Sequence, residues 1–320
     1  MHIAIAFDEN YLTPVYALVT SIFLNNKDEV INIHAIATGI TEAEKEELVA
    51  YVKTYNGAIN FYKLDKSILD GFAVPENSYF TIAAYYRIFF PLLVPSEVEK
   101  LLYLDSDIIV IGNLRSLYET EIGKKPVGAK LELLGKPRPD LGIYRTDTYF
   151  NSGVLLFNNR EWKHQNIAEK ASQFIRDFPE RMKCVDQDAL NAVLVENWFR
   201  IDDRYNVLYQ DVPKNLSASN LKSYLSDKVV IHFSMGEHKP WMILGKNRLR
   251  HLYHYYLKRS PRFSEKKYSD FKLSSRCIYN YSKIRLSELL QNYPLLFSLI
   301  KKAKSPFATK AQKKFKATAR

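Results

Sequence analysis

Cysteine, long apolar runs and, at one end, acidic residues are what this sequence is short of. Two cysteines in 320 residues, Cys184 and Cys277, cannot build a disulfide framework, and there is no CxxC pair for zinc or redox work. Such usage suits a reducing compartment. No apolar stretch approaches the roughly 18 residues that would span a bilayer. The opening residues MHIAIAFDENY carry no basic segment, and their apolar run stops at Asp8, so they read as a first strand rather than a signal peptide. Residues 239–320 hold 3 acidic residues against 21 basic ones, whereas residues 1–238 hold 32 against 25, a net of −7. The formal charge of +11 therefore averages an acidic body and a basic tail, which argues against a basic groove for nucleic acid.

What is present is an ordinary globular composition, 47% apolar and 25% charged, long enough for one large domain or two smaller ones. A continuous apolar run at 3–7 and mainly apolar segments at 31–38, 58–64 and 100–104 read as strands. Helical patterns fall between them at 14–24, behind a Thr13 cap and Pro14, at 41–55, opened by a Thr41/Glu44 capping box, and at 81–90. Strands alternating with helices argue for βαβ units around a parallel sheet. Farther on, 108–111, 127–130, 152–157 and 228–233 read as strands, and 161–178 and 186–197 as helices. Ligands in such sheets bind beyond the carboxyl ends of the strands.

That is where the chemically suggestive residues fall. The strand at 100–104 delivers Asp105-Ser106-Asp107, and residues i and i+2 of an extended chain face one side. Two carboxylates so placed repel unless a cation sits between them, and Mg²⁺ or Mn²⁺ would fill that role while keeping positions for phosphate oxygens. A solvated turn is the plainer alternative. His232 ends another strand, ahead of Gly236 and Lys239; an imidazole beside two carboxylates favours Mn²⁺. Asp8, Asn10 and Tyr11 end the first strand, suited to a base and an aromatic stack or merely to a cap and turn. Asn151 and Ser152 precede Gly153 where the backbone passes close to something, and Asp186 and Gln187 open a helix, where an acidic residue is unremarkable. Arg87, in an apolar helix, needs an anion, either an aspartate of the body or a diphosphate.

The segments FDENY, AYYRI, LYLDSDIIV, YFNSGVLLFN, DQDALN and HF…KPW occur in the order and spacing of glycosyltransferase family 8. Over residues 1–255 the chain resembles the bacterial lipopolysaccharide and lipooligosaccharide galactosyl- and glucosyltransferases and, more distantly, glycogenin. The resemblance implies an α/β GT-A (Rossmann-like) nucleotide-sugar domain with a mixed central sheet; the pattern along the chain sets that body at 1–260 and a basic helical tail at 261–320. It implies transfer of galactose or glucose from a UDP-sugar, with retention of configuration and with Mn²⁺ (or Mg²⁺), to a saccharide acceptor. That acceptor would be a lipid-linked saccharide or lipopolysaccharide core of a bacterial surface glycan. Extension of a protein-linked glycan, or a catalytically weak nucleotide-sugar-binding membrane scaffold, are the alternatives.

Carried over residue by residue, Asp105, Asp107 and His232 match the metal ligands. Asp8, Asn10 and Tyr11 match the segment around uracil and ribose, and Gly236 and Lys239 the diphosphate-holding turn, with Ser106 in the same donor-binding set. Arg87, Asn151, Ser152, Asp186 and Gln187 match positions around the donor sugar, and Arg87, Asn151, Asp186 and Gln187 form the expected catalytic group. Glu132 falls where relatives place an acceptor-binding carboxylate. His232 and Lys239 lie seven positions apart, one more than is usual in the family. That leaves open whether Gly236 or Met235 supplies a close-approach amide, and whether His238 enters the phosphate site. The expected mechanism is a front-face displacement in which the leaving diphosphate takes the acceptor proton; Asp186 is the competing nucleophile. Alanine at Asp105 or Asp107 is expected to abolish transfer and leave the fold intact.

In the tail, His251 and His254 lack acidic or cysteine neighbours and read as helix surface. Leu286, Leu289, Leu290 and Tyr293 form an apolar stripe, Pro294 ends it, and an apolar run at 295–300 leads into a lysine-rich segment. This combination suits a helix lying on anionic lipid, placing the protein peripherally on the inner face of the cytoplasmic membrane; a solvated tail is the alternative.

Overall fold

The computed structural model describes residues 1–75, 80–214, 216–234, 236, 239–265, 270, 272–296 and 299. The first apolar runs form β1 (His2–Asp8), β2 (Asn32–Thr38), β3 (Ala58–Tyr62) and β4 (Lys100–Leu104), which lie parallel in the order β3-β2-β1-β4. Beyond β5 (Ile108–Val110), the strands β6 (Val127–Leu131), β7 (Phe150–Asn158) and β8 (Phe199–Arg200) complete a seven-stranded sheet, with β7 antiparallel to both β4 and β6. The central sheet is therefore mixed. A second sheet of three strands sets β10 (Val230–His232) between β5 and β9 (Val207–Leu208).

The alternation of side chains along β1 divides the core. Ile3, Ile5 and Phe7 pack with Val15, Leu18 and Ile22 of α1 (Leu12–Asn25) and Leu48 and Val52 of α2 (Glu42–Lys53). Ala4 and Ala6 face the opposite side. There the core is built from the short α3 (Phe90–Leu93), from Trp162 of α5 (Asn159–His164), and from α6 (Ile167–Asp177) and α7 (Val185–Val193); α4 (Arg115–Tyr118) follows β5. Each large apolar side chain so buried contributes roughly 1.5–3 kcal/mol, and the sheet is covered on both faces.

The capping box at Thr41 forms as expected: Glu44 N–H donates to Thr41 Oγ1 at 3.2 Å and Thr41 N–H to Glu44 Oε2 at 2.9 Å. Three expectations are corrected. Thr13 does not cap α1, because Asp8 accepts the Asn10 N–H and starts a turn over Glu9–Tyr11 that runs straight into the helix. The helix at 81–90 is a 3₁₀ segment, Ile82–Ile88, followed by α3; Pro91 excludes a continuous α-helix because its ring would clash with the Arg87 carbonyl. The helix at 161–178 is broken in two by Asn166, which sits in the left-handed region at φ 54°.

Past β9 come α8 (Ala218–Leu225), α9 (Arg250–Leu257) and α10 (Ser275–Gln291). Tyr253 and Leu257 of α9 join the cluster around the smaller sheet. The chain beyond 260 keeps contact with the body. Arg262 reaches Glu47 at 2.8 Å, Asp270 accepts the N–H groups of Ile243 and Leu244 at 2.8 and 2.6 Å, and Glu288 accepts that of Asn247 at 2.7 Å. The lysine-rich end, residues 301–320, lies outside the described residues. No described helix is long and apolar enough to cross a membrane.

Candidate active site

The sheet order reverses between β1 and β4, and ligand sites open beyond such a reversal. A cavity of about 300 Å³ lies there. Asp8 closes β1 and lines it, as does Tyr11, which meets Trp241 edge-on at 5.6 Å. Asn10 is exposed and Gly236 forms the turn whose carbonyl accepts the Lys239 N–H at 3.4 Å; neither belongs to the cavity wall. Ser106 does. Met235 and His238 lie outside the described residues.

Asp105 follows β4 directly, its N–H bonded to the Gly153 carbonyl at 2.9 Å. Asp107 leads into β5, and antiparallel pairing of β5 with β10 carries His232 to it from far along the chain. His232 Nε2 sits 3.2 Å from Asp107 Oδ1 and 3.6 Å from Asp105 Oδ2. Ligand atoms of all three residues fall within 4.8 Å of one another. Asp107 Oδ2 takes the Lys239 ammonium, while Oδ1 is buried with no hydrogen-bond partner. An orphaned carboxylate oxygen is costly. Two carboxylates and an imidazole form a donor set that suits a divalent cation, which would satisfy that oxygen.

Charges in this corner hold one another. Burial opposes ionisation of Asp107, but the Lys239 ammonium beside it keeps the carboxyl well below its usual range. Burial likewise disfavours the Lys239 charge, yet Asp107 and Tyr11 leave its pKa raised. The ammonium also lies over the Tyr11 and Trp241 rings, at 5.9 and 5.7 Å from their centres. Removing one partner of a buried pair costs about 3–5 kcal/mol. On that basis Asp107→Ala is expected to cost stability as well as the site, which melting of the variant would check.

Arg87 is 6% exposed and already has its anions. Its Nη2 donates to Asp105 at 3.0 Å, its Nε to Asp186 at 2.9 Å and its Nη1 to the Ser152 carbonyl at 2.7 Å, with the guanidinium over the Tyr103 ring. It bridges the carboxylate after β4 to the one that opens α7. Burial pushes the Asp186 carboxyl up to about 7, with Arg87 pulling against it and Asp105 adding to the rise. The Ser152 hydroxyl donates to the same oxygen at 2.9 Å. Val185 enters α7 at φ 42°, a region that costs a β-branched residue of the order of 1–3 kcal/mol, and the Asp186 and Gln187 that follow it line the cavity.

Around Gln187 the polar groups interlock. Its Oε1 accepts the Ser152 N–H at 3.0 Å and the Asn151 amide at 3.2 Å, and its Nε2 donates to Tyr149 at 3.1 Å and Glu132 at 3.3 Å. Glu132 also accepts from Asn151 Nδ2 at 3.0 Å. All four expected catalytic residues therefore meet at one cavity, with Glu132 in its wall. Sequence reasoning missed Gln210 and Ser234, joined at 3.3 Å, Cys184, whose thiol burial pushes up to about 12, and Asn206 behind His232. Gln210, Cys184 and Asn206 stand in no chemically suggestive pattern.

The chain is similar to known proteins along most of its length. Residues 2–244 match the family described as glycosyl transferase family 8. The chain is 31% identical over 268 residues to General stress protein A of Bacillus subtilis (strain 168), covering 80% of this chain and 93% of that protein. It is 30% identical over 245 residues to a lipopolysaccharide 1,2-glucosyltransferase of Escherichia coli, covering 73% and 71%. In fold it resembles the galactosyltransferase LgtC, solved with donor and acceptor sugar analogues, at a TM-score of 0.72 and 23% identity, over 83% of this chain and 100% of that one. The expected α/β GT-A architecture is the observed one. With the family matched along most of its length, the chain belongs to glycosyltransferase family 8.

Proposed function

We propose that this protein transfers a hexose, galactose or glucose, from a UDP-sugar to a saccharide acceptor of a bacterial surface glycan, with retention of configuration and with Mn²⁺ on Asp105, Asp107 and His232. The observation that carries the reading is the buried, unpartnered Asp107 Oδ1 facing His232 Nε2 at the sheet reversal. When bound, the cation would supply Lewis-acid stabilisation of the leaving diphosphate.

The chain's own residues divide the remaining work. Lys239 holds a positive charge beside Asp107 at the diphosphate end. Asp8 and Tyr11 wall the end assigned to uridine. Arg87 ties Asp105 to Asp186, so the metal end and the sugar end are set relative to each other. Asp186, held by a guanidinium and a hydroxyl and nearly unexposed, is a restrained nucleophile, and the Gln187 carbonyl already accepts a backbone N–H. Both features favour front-face displacement, with the departing diphosphate taking the acceptor proton. Glu132 is the residue proposed to meet the acceptor hydroxyl, a role that its hydrogen bonds to Asn151 and Gln187 support.

Peripheral membrane binding is part of the same reading. Ile278, Leu286 and Leu289 on α10, with Tyr293 and Leu295 beyond it, are exposed apolar residues next to a strongly basic end. The function is tested by screening Mn²⁺-dependent hydrolysis of UDP-galactose, UDP-glucose and their N-acetyl counterparts. One of the first two should turn over above the rest; no turnover of any of the four would sink the proposal.

A further inference from the structure

His232 Nε2 can serve a cation only if the ring proton resides on Nδ1, and the polar network behind it decides that question. Two backbone N–H groups, whose direction is unambiguous, anchor the network. Ser152 N–H donates to Gln187 Oε1 at 3.0 Å, and Gly153 N–H donates to Asn151 Oδ1 at 3.0 Å. Asn151 therefore presents its amide hydrogens to Gln187 and Glu132 and its carbonyl to Asn206. The group of Asn206 that meets this carbonyl at 2.8 Å must be the NH₂. Its remaining oxygen then faces His232 Nδ1 at 3.0 Å, and an amide oxygen only accepts.

We infer that Asn206 is a positioning residue that fixes His232 with its proton on Nδ1 and its Nε2 lone pair toward the two aspartates, and that it ties this metal arm to Asn151. The inference rests on the metal reading above. Asn206 is fully buried and does not line the cavity, so it acts only through its neighbours. It follows β9's entry turn, and β9 pairs with β10 through Leu208 and His232, so backbone and side chain hold the ring together. Partners behind a metal-ligating histidine commonly change metal affinity 10–100-fold when removed. The Asn151 end gives the network a second consequence: the group assigned to the donor sugar and the metal ligand share one unbroken set of hydrogen bonds.

The test measures Mn²⁺ binding to the full chain by the loss of the free-ion EPR signal, in wild type, Asn206→Leu, Asn206→Asp and Asp107→Asn, alongside thermal melting. Leucine removes the acceptor for Nδ1–H, and Mn²⁺ affinity should fall about 10–100-fold. Aspartate is nearly isosteric and keeps an acceptor, so affinity should stay within about threefold of wild type or improve, as expected when a carboxylate backs a ligating histidine. Because aspartate cannot donate to Asn151, it should still lower kcat with the Mn²⁺ requirement unchanged. In metal-free wild type at pH 8, ¹⁵N spectra should place the His232 proton on Nδ1. A folded Asn206→Leu chain that binds Mn²⁺ like wild type, or a folded Asn206→Asp chain that loses more than tenfold, overturns the inference, as does a proton on Nε2. Wild type that binds Mn²⁺ no better than Asp107→Asn overturns the metal reading itself.

Discussion

Gly153→Ala should inactivate the site through a single carbon atom. A Cβ built at residue 153 would lie 2.2 Å from His232 Cε1, 2.7 Å from its Nδ1 and 2.8 Å from Asp105 Oδ2, where ordinary contact begins near 3.4 Å. His232 must recede by about 1 Å, yet it is 2% exposed, bonded to Asn206 and paired through its strand on both sides. Metal ligands tolerate errors of only about 0.2 Å, and a misplacement of about 1 Å at a reacting centre costs on the order of 100-fold. Overpacking adds a stability loss of roughly 1–3 kcal/mol. The assay is Mn²⁺-dependent UDP release from the UDP-sugar, with melting curves, beside Gly135→Ala as a control where an added Cβ meets nothing within 4 Å. Gly153→Ala should lose at least about two orders of magnitude in turnover while still melting cooperatively, and the control should match wild type. Turnover within about threefold of wild type would refute the claim that Gly153 makes room for the His232–Asp105 contact.

Further outcomes follow from other parts of the molecule. Asp186 has its pKa raised by burial to about 7, so it is protonated in the folded state where the unfolded chain would ionise it; the stability it lends is full below about pH 4 and is lost as pH rises toward 7. Asp186→Asn should remove that slope, so urea midpoints at pH 5 and 7.5 should shift in the variant's favour at the higher pH; parallel curves would count against it. Trapping a glycosyl adduct on Asp186 by mass spectrometry would replace front-face displacement with a covalent route. Flotation with anionic liposomes should carry the full chain and release it at high salt, whereas Leu286→Ser/Leu289→Ser should float less; equal flotation would discard the apolar face of α10 as a membrane contact.

The fold was legible where one period ran long enough to register. β1 and β4 carry unbroken apolar runs at 3–7 and 101–104 because both faces of the sheet are covered, and the Thr41 box marks the start of α2 by its own chemistry. β8 and β9, two residues each, have no period to detect. The helical expectation at 81–90 failed because Pro91 acts on the turn before it, an effect that apolar spacing does not register. For the site, chemistry carried by adjacent residues was readable: Asp105 and Asp107, and the close approach at Gly153. What the backbone approaches there, His232 and Asp105, depends on β5 pairing with β10, which joins distant segments. Asn206 was invisible for the same reason. Its role exists only through His232 on one side and Asn151 on the other.

The central claim is that Asp105, Asp107 and His232 hold a divalent cation that activates a UDP-sugar. It is tested most directly by following UDP release from the preferred donor after chelation and during a Mn²⁺ titration, in wild type and in Asp107→Asn. Wild type should fall to background with chelator and recover along a saturating curve, while a folded Asp107→Asn chain should stay near background at every Mn²⁺ concentration. Chelated wild type that keeps its rate, or an Asp107→Asn chain that recovers with the wild-type curve, would contradict the account.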